Sequence, residues 1–193
     1  MKLGIFGGTF NPIHYGHLIN AEMIRSDFDL DRIILVPAKY PVHKSLAGEV
    51  PAEERYAMAV LAAAEAKEYE VSRIEIDRNG PSYTITTVQA LQERYPGSEL
   101  NLIVGMDSLN TIDTWRETER LLKHVSLIVM RRPGEACAPD VDLGKCMVRF
   151  ADNPLIDISS TVIRERLRAG KSVRFLMPDA VIDYIARKGL YRN

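Results

Sequence analysis

The chain has 193 residues, 46% hydrophobic and 26% charged, with 25 Lys and Arg against 26 Asp and Glu and a formal charge of −1. That mixture buries a real core, so disorder and a stapled mini-protein are excluded, and the length suits one domain over residues 1–193. A near-neutral balance argues against a broadly basic nucleic-acid binder, whose affinity rests on excess Lys and Arg, but leaves room for a local basic pocket.

Lys2 to Phe6 reads as a short apolar strand stopped by Gly7-Gly8, a sharp turn. After Pro12, Leu18, Ala21, Ile24 or Arg25 and Phe28 fall on one helical face, and Arg32 to Val36 is an apolar run of strand length closed by Pro37. Strand, glycine loop, helix, strand is a βαβ unit. Pro51 to Lys67 is Ala-rich and helical, Val71 to Ile76 alternates like a strand, and Thr84 to Arg94 reads as a helix ended by Tyr95-Pro96-Gly97. Leu100 to Val104 is a buried-type strand, Asp107 to Lys123 carries one or two helices, and Val125 to Met130 is another apolar strand. Glu135 to Lys145 reads as a loop, and Cys146 to Phe150 and Leu155 to Ile158 as strands. Ser159 or Ser160 can cap a helix Thr161 to Arg168, and Pro178 opens a last helix to Lys188. Apolar strands alternating with helices predict an α/β, Rossmann-like, mostly parallel sheet with helices on both faces and a small C-terminal helical part.

The two cysteines, Cys137 and Cys146, fit neither a zinc pattern nor a disulfide framework, so a reducing cytoplasm is the simplest compartment. The opening apolar run ends too soon for a signal peptide, and no stretch is long enough to span a bilayer, so neither a membrane nor nucleic acid is an expected partner. Oligomeric state is not legible, and a homo-oligomer stays open.

In a parallel sheet of this kind ligands sit beyond the carboxyl ends of the strands, where Gly7 to His17 would lie. Gly7 and Gly8 let backbone approach a ligand, and the helix starting near Tyr15 to Leu18 presents free N–H groups and a dipole that favour an anion. His14 and His17, three apart, share a face at that first turn, and Gly16 between them removes a side chain, which would let a phosphate come close. A mere turn with surface histidines explains the whole string poorly. It is neither a Rossmann fingerprint, which needs three spaced glycines, nor a Walker loop.

Gly7-Gly8-Thr9-Phe10-Asn11-Pro12-Ile13-His14-Tyr15-Gly16-His17 resembles the signature of nucleotidyltransferases related to class I aminoacyl-tRNA synthetases. Ile158-Ser159-Ser160-Thr161-Val162-Ile163-Arg164 resembles their second motif, in the expected order. Within that superfamily the chain is similar to the bacterial nicotinate-nucleotide adenylyltransferases, through Val36-Pro37 with Val42-His43-Lys44, Gly80-Pro81-Ser82-Tyr83-Thr84, Gly105-Met106-Asp107, Trp115, Arg132-Pro133-Gly134 and Phe175-Leu176-Met177-Pro178. Asn11 stands where Asp is frequent and Val42 where Pro is frequent.

The resemblance implies adenylyl transfer from ATP to nicotinate mononucleotide, releasing pyrophosphate, in NAD biosynthesis. A phosphate monoester is already ionised near neutral pH, so such a reaction calls for alignment and positive electrostatics rather than a strong base. The implied catalytic residues are His14, His17 (protonated, the strongest single candidate), Lys44 and Arg164. Gly7, Gly8, Thr9, Phe10, Gly105, Asp107, Ser160 and Thr161 would join them in binding ATP. Gly8, Thr9, His43, Lys44, Ser82, Tyr83, Thr84 and Trp115 would bind the mononucleotide, Trp115 or Tyr83 by stacking and Thr84 at a helix start. Plainer readings stand beside these. His43 and Lys44 can be solvated loop charges, Arg164 a surface ion-pair former, Asp107 a helix N-cap, and Trp115 core; Arg131 either approaches ATP or lines a loop. No acidic cluster announces a protein-held metal, so Mg²⁺ is expected to arrive with ATP. The competing functions are a related enzyme with nicotinamide mononucleotide or phosphopantetheine as acceptor, a cytidylyltransferase, and a non-catalytic nucleotide sensor.

Overall fold

The computed structural model describes residues 1–41, 50–131 and 143–192. Six strands form one sheet: β1 (Lys2–Gly8), β2 (Arg32–Pro37), β3 (Tyr69–Val71), β4 (Glu99–Gly105), β5 (Ser126–Met130) and β6 (Val148–Phe150). Their spatial order is β3-β2-β1-β4-β5-β6, and every pairing is parallel. The chain winds outward from β1 in one direction and then from β4 in the other. The crevice between the ends of β1 and β4 is therefore the topological switch point, where open α/β sheets bind ligands.

Alternation along each strand sends side chains to both faces. Leu3, Ile5, Ile34, Val36, Leu102, Val104, Leu127 and Val129 fill one core, against α3 (Thr84–Arg94), α4 (Met106–Leu109) and α5 (Thr118–Leu122). Phe6, Ile33, Leu35, Ile103, Ile128 and Met130 fill the other, against α1 (Tyr15–Asp27), α2 (Ala52–Ala63), α6 (Ser160–Arg168) and α7 (Asp179–Lys188). Helices on both faces are why the strands read as apolar throughout. The expected fold class is the observed one, with α6 and α7 as the C-terminal helical part. Among the described residues no helix is long and apolar enough to cross a membrane.

Three expected elements differ. The helix over 51–67 stops at Ala63. The strand expected over Val71 to Ile76 lies instead at Tyr69–Val71, paired with Ile33 to Leu35 of β2. Beyond it the chain turns, Asp77 N–H donating to Arg73 O at 2.9 Å, and Glu75 and Ile76 are carried inward. Leu155 to Ile158 is not a strand. It crosses the carboxyl end of the sheet on its way to α6, and Ile156, Asp157 and Ile158 line the crevice there. Glu135 to Lys145 lies mostly outside the described residues.

Candidate active site

A cavity of about 960 Å³ opens at the switch point. Each expected site residue that the structure describes lines it: Gly7, Gly8, Thr9, Phe10, His14, His17, Ser82, Tyr83, Thr84, Gly105, Asp107, Trp115, Ser160, Thr161 and Arg164. His43 and Lys44 lie outside the described residues.

One end of the cavity is built by the turn after β1. Gly7 and Gly8, expected as a sharp turn, are instead the last two residues of β1, paired with Val36 and Pro37, and a Cβ on Gly8 would sit 2.9 Å from the Phe10 ring. Phe10 has φ 47°, in the left-handed region, and is 2% exposed. Its ring packs edge-on against Phe6 and against His17, with centroids 5.8 and 5.1 Å apart. The ring is thus a backing for His17, and contact between Phe10 and a nucleotide is left to its backbone.

His14 is the N-cap residue of α1 and His17 its third helical residue. Their rings lie 3.7 Å apart between centroids and 31° from parallel. The His14 backbone N–H donates to His17 Nδ1 at 3.3 Å. A backbone N–H can only donate, so Nδ1 is an acceptor and the ring's proton sits on Nε2. The imidazolium expected at His17 would have to give up this bond. Gly16 also differs from expectation. A Cβ there would stand 3.0 Å from the His14 ring and 3.2 Å from Ile158 O, so the space is filled by the protein itself, where α1 meets the segment before α6. Gly16 nevertheless lines the cavity.

The second motif docks on the first through hydrogen bonds to backbone. Ser159 caps α6, accepting from Val162 N–H at 3.2 Å, which decides between the two serines. Ser160 Oγ donates to Pro12 O at 2.9 Å. Arg164 Nη1 donates to Asn11 O at 2.8 Å and Nη2 to Thr161 Oγ1 at 3.2 Å. Arg164 therefore reaches the cavity rather than a carboxylate on its own helix, against the surface ion-pair reading. Asn11 Oδ1 accepts from the Tyr191 hydroxyl at 2.6 Å, a bond an Asp in that place would also make.

At the end of β4, Gly105 is the N-cap of α4 and Asp107 sits inside its first turn. Asp107 is thus not the N-cap that the plainer reading required. Arg131, past β5, lines the cavity, but its guanidinium pairs with Asp152 at 2.9 Å.

The far end is built around the start of α3. Tyr83 is its N-cap residue and Thr84 its first helical residue. The Arg116 guanidinium lies 4.7 Å from the Tyr83 ring centroid. Trp115 lines the cavity and also packs against the α3-side core, so it answers to both readings of it. Ser82 Oγ accepts from the backbone N–H of Lys39 at 3.1 Å and Tyr40 at 3.2 Å.

Two residues of this cleft have no place in the expected set. Glu75 is 7% exposed and lines the cavity; burial pushes its carboxyl above the usual carboxylate range, while the Ser82 and Thr87 hydroxyls and the Arg78 charge pull it partly back. Arg55 is 1% exposed and donates to Thr9 O at 2.6 Å and to Val50 O and Lys39 O at 3.3 Å. It joins the turn after β1 to the chain leaving β2. A signal for Arg55 existed: it shares the apolar stripe of α2 with Met58 and Ala59, where a charge is out of place unless it has internal partners. None existed for Glu75, which a strand reading turns away from its neighbours Ile74 and Ile76.

Residues 5–166 match the family model described as cytidylyltransferase-like. A Syntrophotalea carbinolica protein named probable nicotinate-nucleotide adenylyltransferase is 40% identical over 214 residues, covering 100% of this chain and 98% of that relative. One from Thermus thermophilus with the same name is 44% identical over 196 residues, covering 100% of both. Among solved structures, Plasmodium falciparum nicotinic acid mononucleotide adenylyltransferase complexed with NaAD matches with a TM-score of 0.81 at 19% identity, over 98% of this chain and 97% of that one.

Proposed function

The chain belongs to the cytidylyltransferase-like family, and from that membership we propose how its residues work: it transfers the adenylyl group of ATP to nicotinate mononucleotide, giving nicotinate adenine dinucleotide and pyrophosphate. A phosphate oxygen of the mononucleotide attacks the α-phosphorus of ATP. The bond from that phosphorus to the bridging oxygen of the β-phosphate breaks in line, and the electron pair leaves with pyrophosphate. The nucleophile carries its charge before it binds, so no residue has to take a proton from it.

The residues then have two tasks. The first is to offset negative charge as pyrophosphate departs. The end of β1 at Gly7 and Gly8 with Thr9 after it, the first N–H groups of α1, His14, the Nε2–H of His17, and Arg164 with Thr161 and Ser160 serve it at one end of the cavity. Lys44 is assigned to the same task as a point charge, with His43 beside it. The second task is to hold the acceptor in line. Tyr83 and Trp115 offer ring faces to the pyridine, and the start of α3 at Thr84 receives the carboxylate. Asp107, inside the first turn after β4, accepts from ribose hydroxyls. The donors around the glycine turn suit an anion, so Mg²⁺ enters as part of the ATP substrate, on phosphate oxygens and water.

The observation that carries this reading is the stacked His14–His17 pair at the start of α1, its proton on Nε2, in one cavity with Arg164 and Trp115. A pyrophosphate-release assay with ATP and Mg²⁺ tests it, comparing nicotinate mononucleotide, nicotinamide mononucleotide and phosphopantetheine. Turnover is expected to be fastest with nicotinate mononucleotide. Faster release with either other acceptor would reassign the substrate, and nucleotide binding without release would favour a sensor.

A further inference from the structure

We propose that Asn153 is a positioning residue for the ATP end of the cleft, its side-chain amide tying the exit of β5 to the first turn of α1. The proposal rests on the ATP reading above and deepens it.

Asn153 lies just past β6 and is 3% exposed. Beside β5 the backbone ladder runs as far as Ala151, whose N–H donates to Val129 O at 2.9 Å. Beyond that point the Asn153 side chain takes the place of a backbone partner. Its Oδ1 accepts from Arg131 N–H at 2.8 Å, and its Nδ2 donates to Arg131 O at 3.1 Å. Nδ2 also donates to Asn20 Oδ1 at 2.9 Å and to Pro154 O at 3.3 Å. Asn20 Nδ2 in turn donates to Gly16 O at 2.8 Å.

The direction of each bond follows from the one before. Arg131 N–H can only donate, so it meets the Asn153 oxygen, and the Asn153 NH₂ is turned to Arg131 O and to Asn20. Asn20 answers an NH₂ with its oxygen, which leaves its own NH₂ for Gly16 O. Two side-chain amides are thus held in one orientation by main-chain groups at both ends. Gly16, Asn20 and Arg131 all line the cavity, and Gly16 stands between His14 and His17. The linkage sets the spacing of two walls of the ATP end, the start of α1 and the exit of β5. An aspartate at 153 has nearly the same shape and still accepts from Arg131 N–H. Its second oxygen, however, faces Arg131 O and Asn20 Oδ1, where a donor is required. Turning the Asn20 amide over would serve that oxygen but set the Asn20 oxygen against Gly16 O. Either arrangement loses a bond, and the two walls lose their fixed spacing.

Steady-state kinetics on the full chain test this with Asn153→Asp, Asn20→Ala and the double variant. Each single change should raise KM for ATP about tenfold, the scale of one hydrogen bond, with kcat and KM for nicotinate mononucleotide within about twofold. The double variant should be no worse than the worse single one, because both act through one linkage. An unchanged KM for ATP in Asn153→Asp, or effects that multiply in the double variant, overturn the proposal. So does a fall in kcat with both KM values raised alike, the mark of a merely structural residue. Should Asn153→Asp fail to fold, Asn153→Ala takes its place under the same criteria. A wild-type chain that binds ATP but releases no pyrophosphate with this acceptor refutes the functional reading instead. The role of Asn153 is then decided by the ATP Kd of the same variants in titration calorimetry, a tenfold weakening supporting it and no change overturning it.

Discussion

The two ends of the cleft are made in opposite ways. The triphosphate end is assembled from two contiguous strings, Gly7 to His17 and Ile158 to Arg164, locked together by Ser160 on Pro12 O and Arg164 on Asn11 O. Its groups are donors presented by turns and helix starts. The acceptor end draws single residues from several segments: Glu75 from a turn, Ser82 to Thr84 before and into α3, and Trp115 just past a 3-10 turn. There a buried carboxyl, Glu75, accepts from the Thr87 hydroxyl of α3 at 2.6 Å. On the proposed function, the residues assigned to charge stabilisation come as local strings, whereas those assigned to the acceptor are gathered by the tertiary fold.

The largest effect should separate the ends most sharply. His17→Ala removes the Nε2–H donor and the ring that packs on His14 and Phe10, and kcat should fall by about 10²–10⁴-fold, the range for losing a positioned proton donor or charge stabiliser. KM for the mononucleotide should hardly move, and circular dichroism should be unchanged. A rate within a few-fold of wild type would break the comparison at its first term.

Arg55→Met should act on both ends at once, because Arg55 holds Thr9 O on one side and Lys39 O on the other. Leaving buried carbonyls without their donor should cost on the order of 3 kcal/mol, read by urea unfolding. KM should rise for ATP and for the mononucleotide together; a change confined to one substrate would deny that Arg55 bridges the ends.

Trp115→Ala should raise KM for the mononucleotide about tenfold, from the loss of one stacked ring, and KM for ATP much less. Equal rises would return Trp115 to the core alone.

The smallest effect lies away from both ends. Tyr184 on α7 donates to Glu54 on α2 at 2.6 Å, and Lys188 lies 3.2 Å from the same carboxyl. The Tyr184 bond first, and then Lys188, hold the Glu54 pKa below its ordinary 4.5, against an opposing push from burial. A folded pKa below the unfolded one gives stability that is present above about pH 4.5 and is lost as pH falls through the folded value. Between about pH 5 and pH 3 the wild-type Tm should therefore fall more than that of Glu54→Gln, with both KM values the same in the two proteins at neutral pH. Parallel Tm curves would show that the Glu54–Tyr184 contact contributes nothing.

The sheet was legible in the sequence because β1, β2, β4 and β5 are buried on both faces and therefore almost wholly apolar, Asn101 in β4 apart. The triphosphate end was legible because its residues are neighbours in sequence, although Gly7 and Gly8, read as a turn, close β1 instead. Edge strand β3 was misplaced because alternation at 71–76 looks the same whether or not a partner strand exists. Leu155 to Ile158 was misread for the same reason, apolar residues lining a crevice rather than pairing. Gly16, which lines the cavity, also makes room for the His14 ring, a contact no local pattern announces. Arg55 could have been found as a charge on an apolar helix stripe; Glu75 could not, since its hydrogen-bond partner Thr87 is reached only through the fold.

The most direct test is a crystal structure of the full chain with ATP and Mg²⁺. The account predicts the triphosphate over Gly7 to Thr9, with His17 Nε2 about 3 Å from a phosphate oxygen and Arg164 beside it. ATP bound elsewhere, with the turn after β1 left empty, would contradict it.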